Sequence, residues 1–196
     1  AASSAGVSFV ASEQAASKAA SARVGSSLIV CSVRLGGGQF VDGPPGVRVT
    51  RRRAPVTLAG TLVQQNAEAL AGILLGQAAC RGAPVFYGHF TSNVDMKSGA
   101  PAFGTPEYMR ATQMTGQMAR YYKLPMRSSG VCAANVPDGQ AMWETSNSLW
   151  AAMQSGTNMV YHAAGWLEGG LVSSFEKFVM DADQLGVLHH LAKGVS

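Results

Sequence analysis

From Pro55 onward the chain alternates short apolar runs with longer stretches of helical period, and no other feature limits its fold so strongly. Residues 56–59 form an apolar run ending at Gly60. Residues 61–79 read as a helix with Leu62, Val63, Leu70, Ile73, Leu74 and Leu75 on its apolar face. Residues 84–87 read as a strand ending at Gly88, and a long loop over 89–105 follows. Thr105 as cap and Pro106 at the first helical position open a helix to about Lys123. Residues 125–131 give a third strand. Asp138 caps a helix to about Gln154, which Gly156 ends. Residues 158–161 give a fourth strand, a glycine-rich loop runs to Gly170, and Ser173 or Ser174 caps a last helix to about Leu191.

Four strand–helix units in succession imply α/β architecture with a parallel sheet covered on both faces. A doubly wound sheet and a barrel both satisfy this. A complete (β/α)8 barrel takes about 250 residues, and this chain has 196. Four units would be about half of one, with open sheet edges.

The segment before Pro55 has another texture. Residues 13–23 could form a weak helix and 27–35 a strand, but Gly36-Gly37-Gly38, Gly43-Pro44-Pro45-Gly46 and Arg51-Arg52-Arg53 settle into no period. No GK[ST] follows the glycine triplet, which argues against a phosphate loop. The net charge of +4 hints at an acidic partner. Its location removes the hint. Residues 1–55 hold seven Lys/Arg against two acids, and residues 56–196 hold eight against nine. We therefore expect no nucleic-acid partner. A hydrophobic content of 47% excludes disorder over the whole length, and no run of eighteen apolar residues suggests a membrane span. Cys31, Cys80 and Cys132 form no CxxC pair, so neither a disulfide framework nor structural zinc is expected, and a reduced cytoplasmic setting fits. The start AASSAG has no Met and no signal-peptide pattern, which reads as a processed or incomplete N-terminus.

Ligands of parallel α/β folds bind at the carboxyl ends of the strands. Those positions carry Tyr87, Gly88, His89, Phe90, Asn93 and Asp95, then Ser128, Ser129 and Asn135, then Tyr161, His162, Gly165, Trp166 and Glu168. Aromatic rings mixed with a few polar groups suggest a ligand cavity. Each has a plainer reading. Tyr87 and Tyr161 could plug the end of a barrel, and His89 could be a hydrogen-bonded structural histidine. His162, flanked by rings, is as readily catalytic as structural. Glu168 could balance a cation or lie in solvent. Gln64, Gln65 and Asn66 form a polar pocket wall or simply a first helical turn. His189 and His190 suit the C-terminal dipole of the last helix. Trp143 and Trp150 share a helix face suited to core or interface packing, which leaves a homo-oligomer open. There is no HExxH, GxSxG, GxGxxG or Walker loop. A Cys–His pair is unmarked but open.

The strings APVTLAGTLVQQNAEALAGILLGQ (54–77), GAPVFYGHFTSNVDMKSGAPAFGTPEY (82–108) and VYHAAGWLEGGLVSSFEKFVMDAD (160–183) resemble the trimethylamine methyltransferase family. The resemblance covers about residues 54–185. It implies part of the C-terminal half of a (β/α)8 barrel over 54–193, with residues 1–53 a low-complexity segment of unclear origin. A frameshift, a chimaeric gene or a truncated gene would each produce such a join, and the chain stops short of where the family continues. The implied reaction moves a methyl group from trimethylamine or a quaternary amine such as glycine betaine to the Co(I) of a partner corrinoid protein. No cofactor is then bound directly, and cobalamin arrives with the partner. Tyr87, Phe90, Tyr161 and Trp166 are the expected cation-holding rings. His89, His162, Asp95 and Glu168 are expected to orient a carboxylate or offset charge, the two histidines as the catalytic candidates. The archaeal trimethylamine enzymes carry pyrrolysine. Residues 128–138 (SSGVCAANVPD) are all ordinary, as in the branch for which quaternary amines are expected. Two alternatives stand beside this: a module that binds quaternary ammonium compounds without chemistry, and an inactive fragment of the enzyme.

Overall fold

The computed structural model describes residues 8–9, 57–88, 90–95 and 97–194. The glycine triplet, the arginine triplet, the elements expected over 13–23 and 27–35, and the boundary at residue 53 lie outside them.

Side-chain caps set the starts of four helices, α1 (Leu58–Ala79), α2 (Pro106–Tyr121), α3 (Gly139–Gln154) and α4 (Phe175–Ala192). Thr105, Asp138 and Ser174 each hold extended backbone and accept the N–H three residues on, from Tyr108, Ala141 and Lys177. The expected caps of α2 and α3 are thus found, and Ser174 rather than Ser173 caps α4. At α1 the expectation fails. Thr57 Oγ1 accepts Gly60 N at 3.2 Å, so Leu58 and Ala59 are helical rather than a strand. A local hydroxyl cap satisfies donors that a strand would have needed a neighbour to satisfy. The face α1 buries is Thr61, Leu62, Gln65, Ala69 and Gly76. Val63, Leu74 and Leu75, expected to be apolar contacts, are exposed. Trp143 and Trp150 are exposed too, which removes the core reading of their shared face.

Eight short strands are present among the described residues: β1 (Ser8–Phe9), β2 (Tyr87–Gly88), β3 (Asn93–Val94), β4 (Pro101–Ala102), β5 (Met126–Ser129), β6 (Met159–Tyr161), β7 (Trp166–Leu167) and β8 (Val172–Ser173). Four form a parallel sheet in the order β1-β6-β5-β2. Tyr87 lies opposite Met126, and Ser129 opposite Tyr161. The chain is therefore mixed α/β with a parallel sheet. The loops expected over 89–105 and after β6 each contain an antiparallel hairpin, β3 with β4 and β7 with β8.

Two apolar clusters fill the space between sheet and helices. Tyr87 and Met126 pack with Ala69 of α1 and Ala119 of α2. Val160 packs with Leu149 and Ala152 of α3 and Leu188 of α4. The two helices α2 and α3 approach closely at Gly116, where a Cβ would stand 2.4 Å from the Ser155 carbonyl oxygen. The loops after β2, β5 and β6 all leave the sheet at its carboxyl edge, where they meet.

Candidate functional site

A row of rings occupies that meeting place. Tyr108, Phe103, Phe90, His162 and Trp166 follow one another at centroid distances of 5.4, 5.1, 6.0 and 5.5 Å. Phe90 and Phe103 come from the segment after β2, and His162 and Trp166 from the segment after β6. Val131, after β5, packs against the same cluster. Such tilted and edge-on pairs suit aromatic quadrupoles. Phe103 and Tyr108 are buried, whereas Phe90, His162 and Trp166 are only half-buried. The inner end of the row is thus a support and the outer end is reachable.

His162 is held in an uncommon way. Its φ is 51°, in the left-handed region, directly after β6. Its Nδ1 lies 2.9 Å from the hydroxyl oxygen of Ser129 on the neighbouring strand. Ser129 is itself fixed, since its carbonyl accepts the Tyr108 hydroxyl at 2.9 Å. Burial pushes the Tyr108 phenol up to about 12, so it stays a neutral donor. Tyr161 stands edge-on to His162 at 6.2 Å, and the Arg127 guanidinium carbon lies 4.5 Å from the Tyr161 ring centre. A cation thus already sits over one face of that ring.

The other expected residues lie apart from the row. Tyr87 faces the helix layer, where its hydroxyl donates to Asn66 Oδ1 at 2.8 Å and its ring lies 5.9 Å from Tyr122. Burial raises its pKa to about 12. Gln65 is buried and Asn66 half-buried, and both side chains are taken up in hydrogen bonds between elements. Gln65 donates to Thr115 Oγ1 and accepts from Thr91 Oγ1, and Asn66 donates to the Tyr122 hydroxyl at 3.0 Å. They fasten α1 to α2 and to the segment after β2. Asp95 is exposed and its carboxylate accepts from Ser98 N and Ser98 Oγ, closing the β3–β4 turn. Glu168 is exposed in the β7–β8 turn, with φ of 51° and its N–H on the Ala134 carbonyl. His89 lies outside the described residues.

Several contributors carry no sequence signal of their own. Phe103 sits in a loop of small residues, Tyr108 reads as an ordinary helical aromatic, and Arg127 as one charge in a short strand. Glu144 shapes the loop after β5, because its Oε2 accepts Ala133 N and Ala134 N at 2.7 and 2.9 Å. Cys132 Sγ donates to the Trp166 carbonyl at 3.2 Å, and burial pushes the thiol up, which opposes a nucleophilic thiolate. No group of three or more His, Cys, Asp or Glu that could hold a metal occurs among the described residues. No helix among them is long and apolar enough to cross a membrane.

The arrangement is a row of rings at a sheet's carboxyl edge, with one hydrogen-bonded imidazole and one guanidinium beside it. Chemically, it can hold a cation against π faces and orient an anionic group. Comparison with known proteins adds the family-level finding. The family model described as trimethylamine methyltransferase (MTTB) matches residues 50–196. The glycine betaine methyltransferase of Desulfitobacterium hafniense (strain Y51) is 43% identical over 141 residues, covering 71% of this chain and 29% of that protein. The trimethylamine methyltransferase MttB of Methanosarcina barkeri (strain Fusaro / DSM 804) is 39% identical over 143 residues, 72% of this chain and 29% of that one. MttB2 of Methanosarcina mazei (strain ATCC BAA-159 / DSM 3647 / Goe1 / Go1 / JCM 11833 / OCM 88) is 34% identical over 174 residues, 86% of this chain and 34% of that one. The chain spans about a third of the length of these curated relatives.

Proposed function

Since the chain belongs to the trimethylamine methyltransferase family, we propose that it contributes the amine-holding part of an enzyme that moves a methyl group from a methylated amine to the Co(I) of a partner corrinoid protein. The observation that carries this reading is the row Phe90–His162–Trp166, three half-buried rings from two loops set edge-on to one another. Such rings attract an alkylammonium group by about 0.5–2 kcal/mol each.

The chemistry asks little else of the protein. The nucleophile attacks the methyl carbon in line, the C–N electron pair stays on nitrogen, and a neutral amine leaves. A quaternary substrate needs no general acid. The protein has to hold a bulky cation, exclude water and aim one methyl group. In this reading Phe90 and Trp166 hold the cation and His162, braced by Ser129, orients it. Tyr161 already faces Arg127, so its part is to seat the guanidinium. A bare cation near that charge is repelled, whereas a zwitterion can turn its carboxylate toward it. Glycine betaine or a related betaine is therefore favoured over trimethylamine.

The sheet order supports a (β/α)8 barrel as the parent fold. Strands β2, β5 and β6 neighbour one another in chain order, as barrel strands do, with β1 paired on the far side of β6. A reducing, cytoplasmic setting suits an acceptor that must stay Co(I).

The test is a transfer assay with glycine betaine, choline and trimethylamine, a corrinoid protein and a reductant. Formation of methylated corrinoid from glycine betaine is expected, and Arg127→Gln should lose the preference for glycine betaine over choline. Betaine binding with no transfer would instead support a binding module. No methylated corrinoid from any tertiary or quaternary amine would sink the transferase reading.

A further inference from the structure

Lys177 and Asp181 stand one turn apart on α4, with 0% and 1% of their surface exposed. Lys177 Nζ donates to Asp181 Oδ1 and, at 2.9 Å, to Thr145 Oγ1 on α3. Asp181 Oδ2 accepts the backbone N–H of Gly165 at 2.8 Å. The Gly165 carbonyl in turn accepts the N–H of Ser174, the cap of α4, at 2.9 Å. Both polar backbone groups of Gly165 are thus bound to α4 or its cap. Its φ of 82° and the Phe178 Cβ atom, 3.2 Å from where a side chain would begin, leave it little room to move.

Gly165 lies between His162 and Trp166. The Trp166 carbonyl accepts from Cys132, which fastens the same segment to the loop after β5. A buried ion pair is a poor source of stability, because desolvating two charges offsets their attraction and apolar replacements are often neutral or better. This pair instead presents a fixed acceptor to one backbone N–H beside the ring row. Burial pushes the Asp181 carboxyl up, the Lys177 ammonium draws it part of the way back, and Thr145 fixes that ammonium from a second helix.

We infer that Lys177 and Asp181 are positioning residues, which set where Trp166 and His162 stand by holding the Gly165 N–H. Only the binding arm of the test below rests on the amine-site reading. In the full chain, Trp143→Phe and Trp150→Phe, both at exposed positions, leave Trp166 as the sole tryptophan. Two double variants are compared in that background. Lys177→Met with Asp181→Asn removes both charges and keeps an acceptor for Gly165. Lys177→Met with Asp181→Leu removes the acceptor too.

The asparagine form should keep the parent's Trp166 emission and acrylamide quenching. The leucine form should melt at the parent's temperature or above, yet show red-shifted emission, stronger quenching and about tenfold weaker glycine betaine binding, the scale of one lost hydrogen bond. Parent-like quenching in the leucine form, or equal changes in both forms, overturns the inference. If the leucine form has no cooperative melt, amide exchange over residues 163–167 of the asparagine form decides. Retained protection supports the inference and lost protection overturns it. If the parent itself binds no glycine betaine, the amine-site reading falls, while quenching still decides the positioning role.

Discussion

His162 combines backbone strain with a side-chain brace. A left-handed non-glycine residue costs about 1–2 kcal/mol, and that cost is met where β6 ends beside Ser129. Ser129→Ala removes the brace. We expect methyl transfer to fall about tenfold, the worth of one hydrogen bond, with the melting temperature nearly unchanged and Ser129→Thr recovering part of the loss. Tyr108 supplies a second residue-scale prediction. Its folded pKa of about 12 lies above the usual 10. A raised pKa favours the protonated fold, so its contribution is complete below pH 10 and disappears as pH rises through 12. Over that window stability should fall by up to about 3 kcal/mol. Urea melts of the protein and of Tyr108→Phe at matched pH isolate that part, and identical pH curves would sink the claim. Phe90, His162 and Trp166 were legible in the sequence because rings among glycines at strand ends are an unusual local pattern. Phe103, Lys177 and Asp181 were not: Phe103 sits in a loop with no period to mark it, Lys177 meets a hydroxyl 32 residues away, and Asp181 meets another loop's backbone. Tyr87 was misleading. A strand-end tyrosine points to either side of the sheet, and only its neighbours decide which.

Among the elements, caps were the most readable feature and strands the least. A cap is local chemistry, which is why Thr105 and Asp138 could be placed to the residue. A two-residue strand has no period to read, so hairpins β3–β4 and β7–β8 passed for loop. The same locality explains the error at Leu58 and Ala59, where an apolar run outweighed the hydroxyl of Thr57. Asp138→Ala should cost about 1 kcal/mol, seen as a lower urea midpoint with an unchanged slope. Gly116→Ala should cost more. Its new methyl would meet the Ser155 carbonyl at 2.4 Å, so α2 and α3 must separate. Overpacking of this kind costs about 1–3 kcal/mol. A melt at or above the parent's temperature would refute the close approach.

For the molecule as a whole, the parallel sheet with helices was legible from the alternation of segments, whereas the identity of the outward faces was not. Phe175 is 91% exposed on α4, and Val179 follows one turn later, also exposed. Phe175→Ser with Val179→Ser should lower the binding of an apolar dye and shift stability by less than about 0.5 kcal/mol. A large stability loss would show that this face is covered in solution. The ring row has a further consequence for synthesis. Its members stand at positions 90, 103, 108, 162 and 166, while α1, α2 and α3 are complete by residue 154. A chain synthesised at about 5–20 residues per second therefore completes α3 roughly 0.4–1.6 s before His162 is added. The ring row is completed only with Trp166, and until His162 and Trp166 are added Phe90 and Phe103 have no imidazole or indole to meet. A nascent chain paused before residue 162 would show these two rings as an adhesive surface, the natural place for a chaperone to wait.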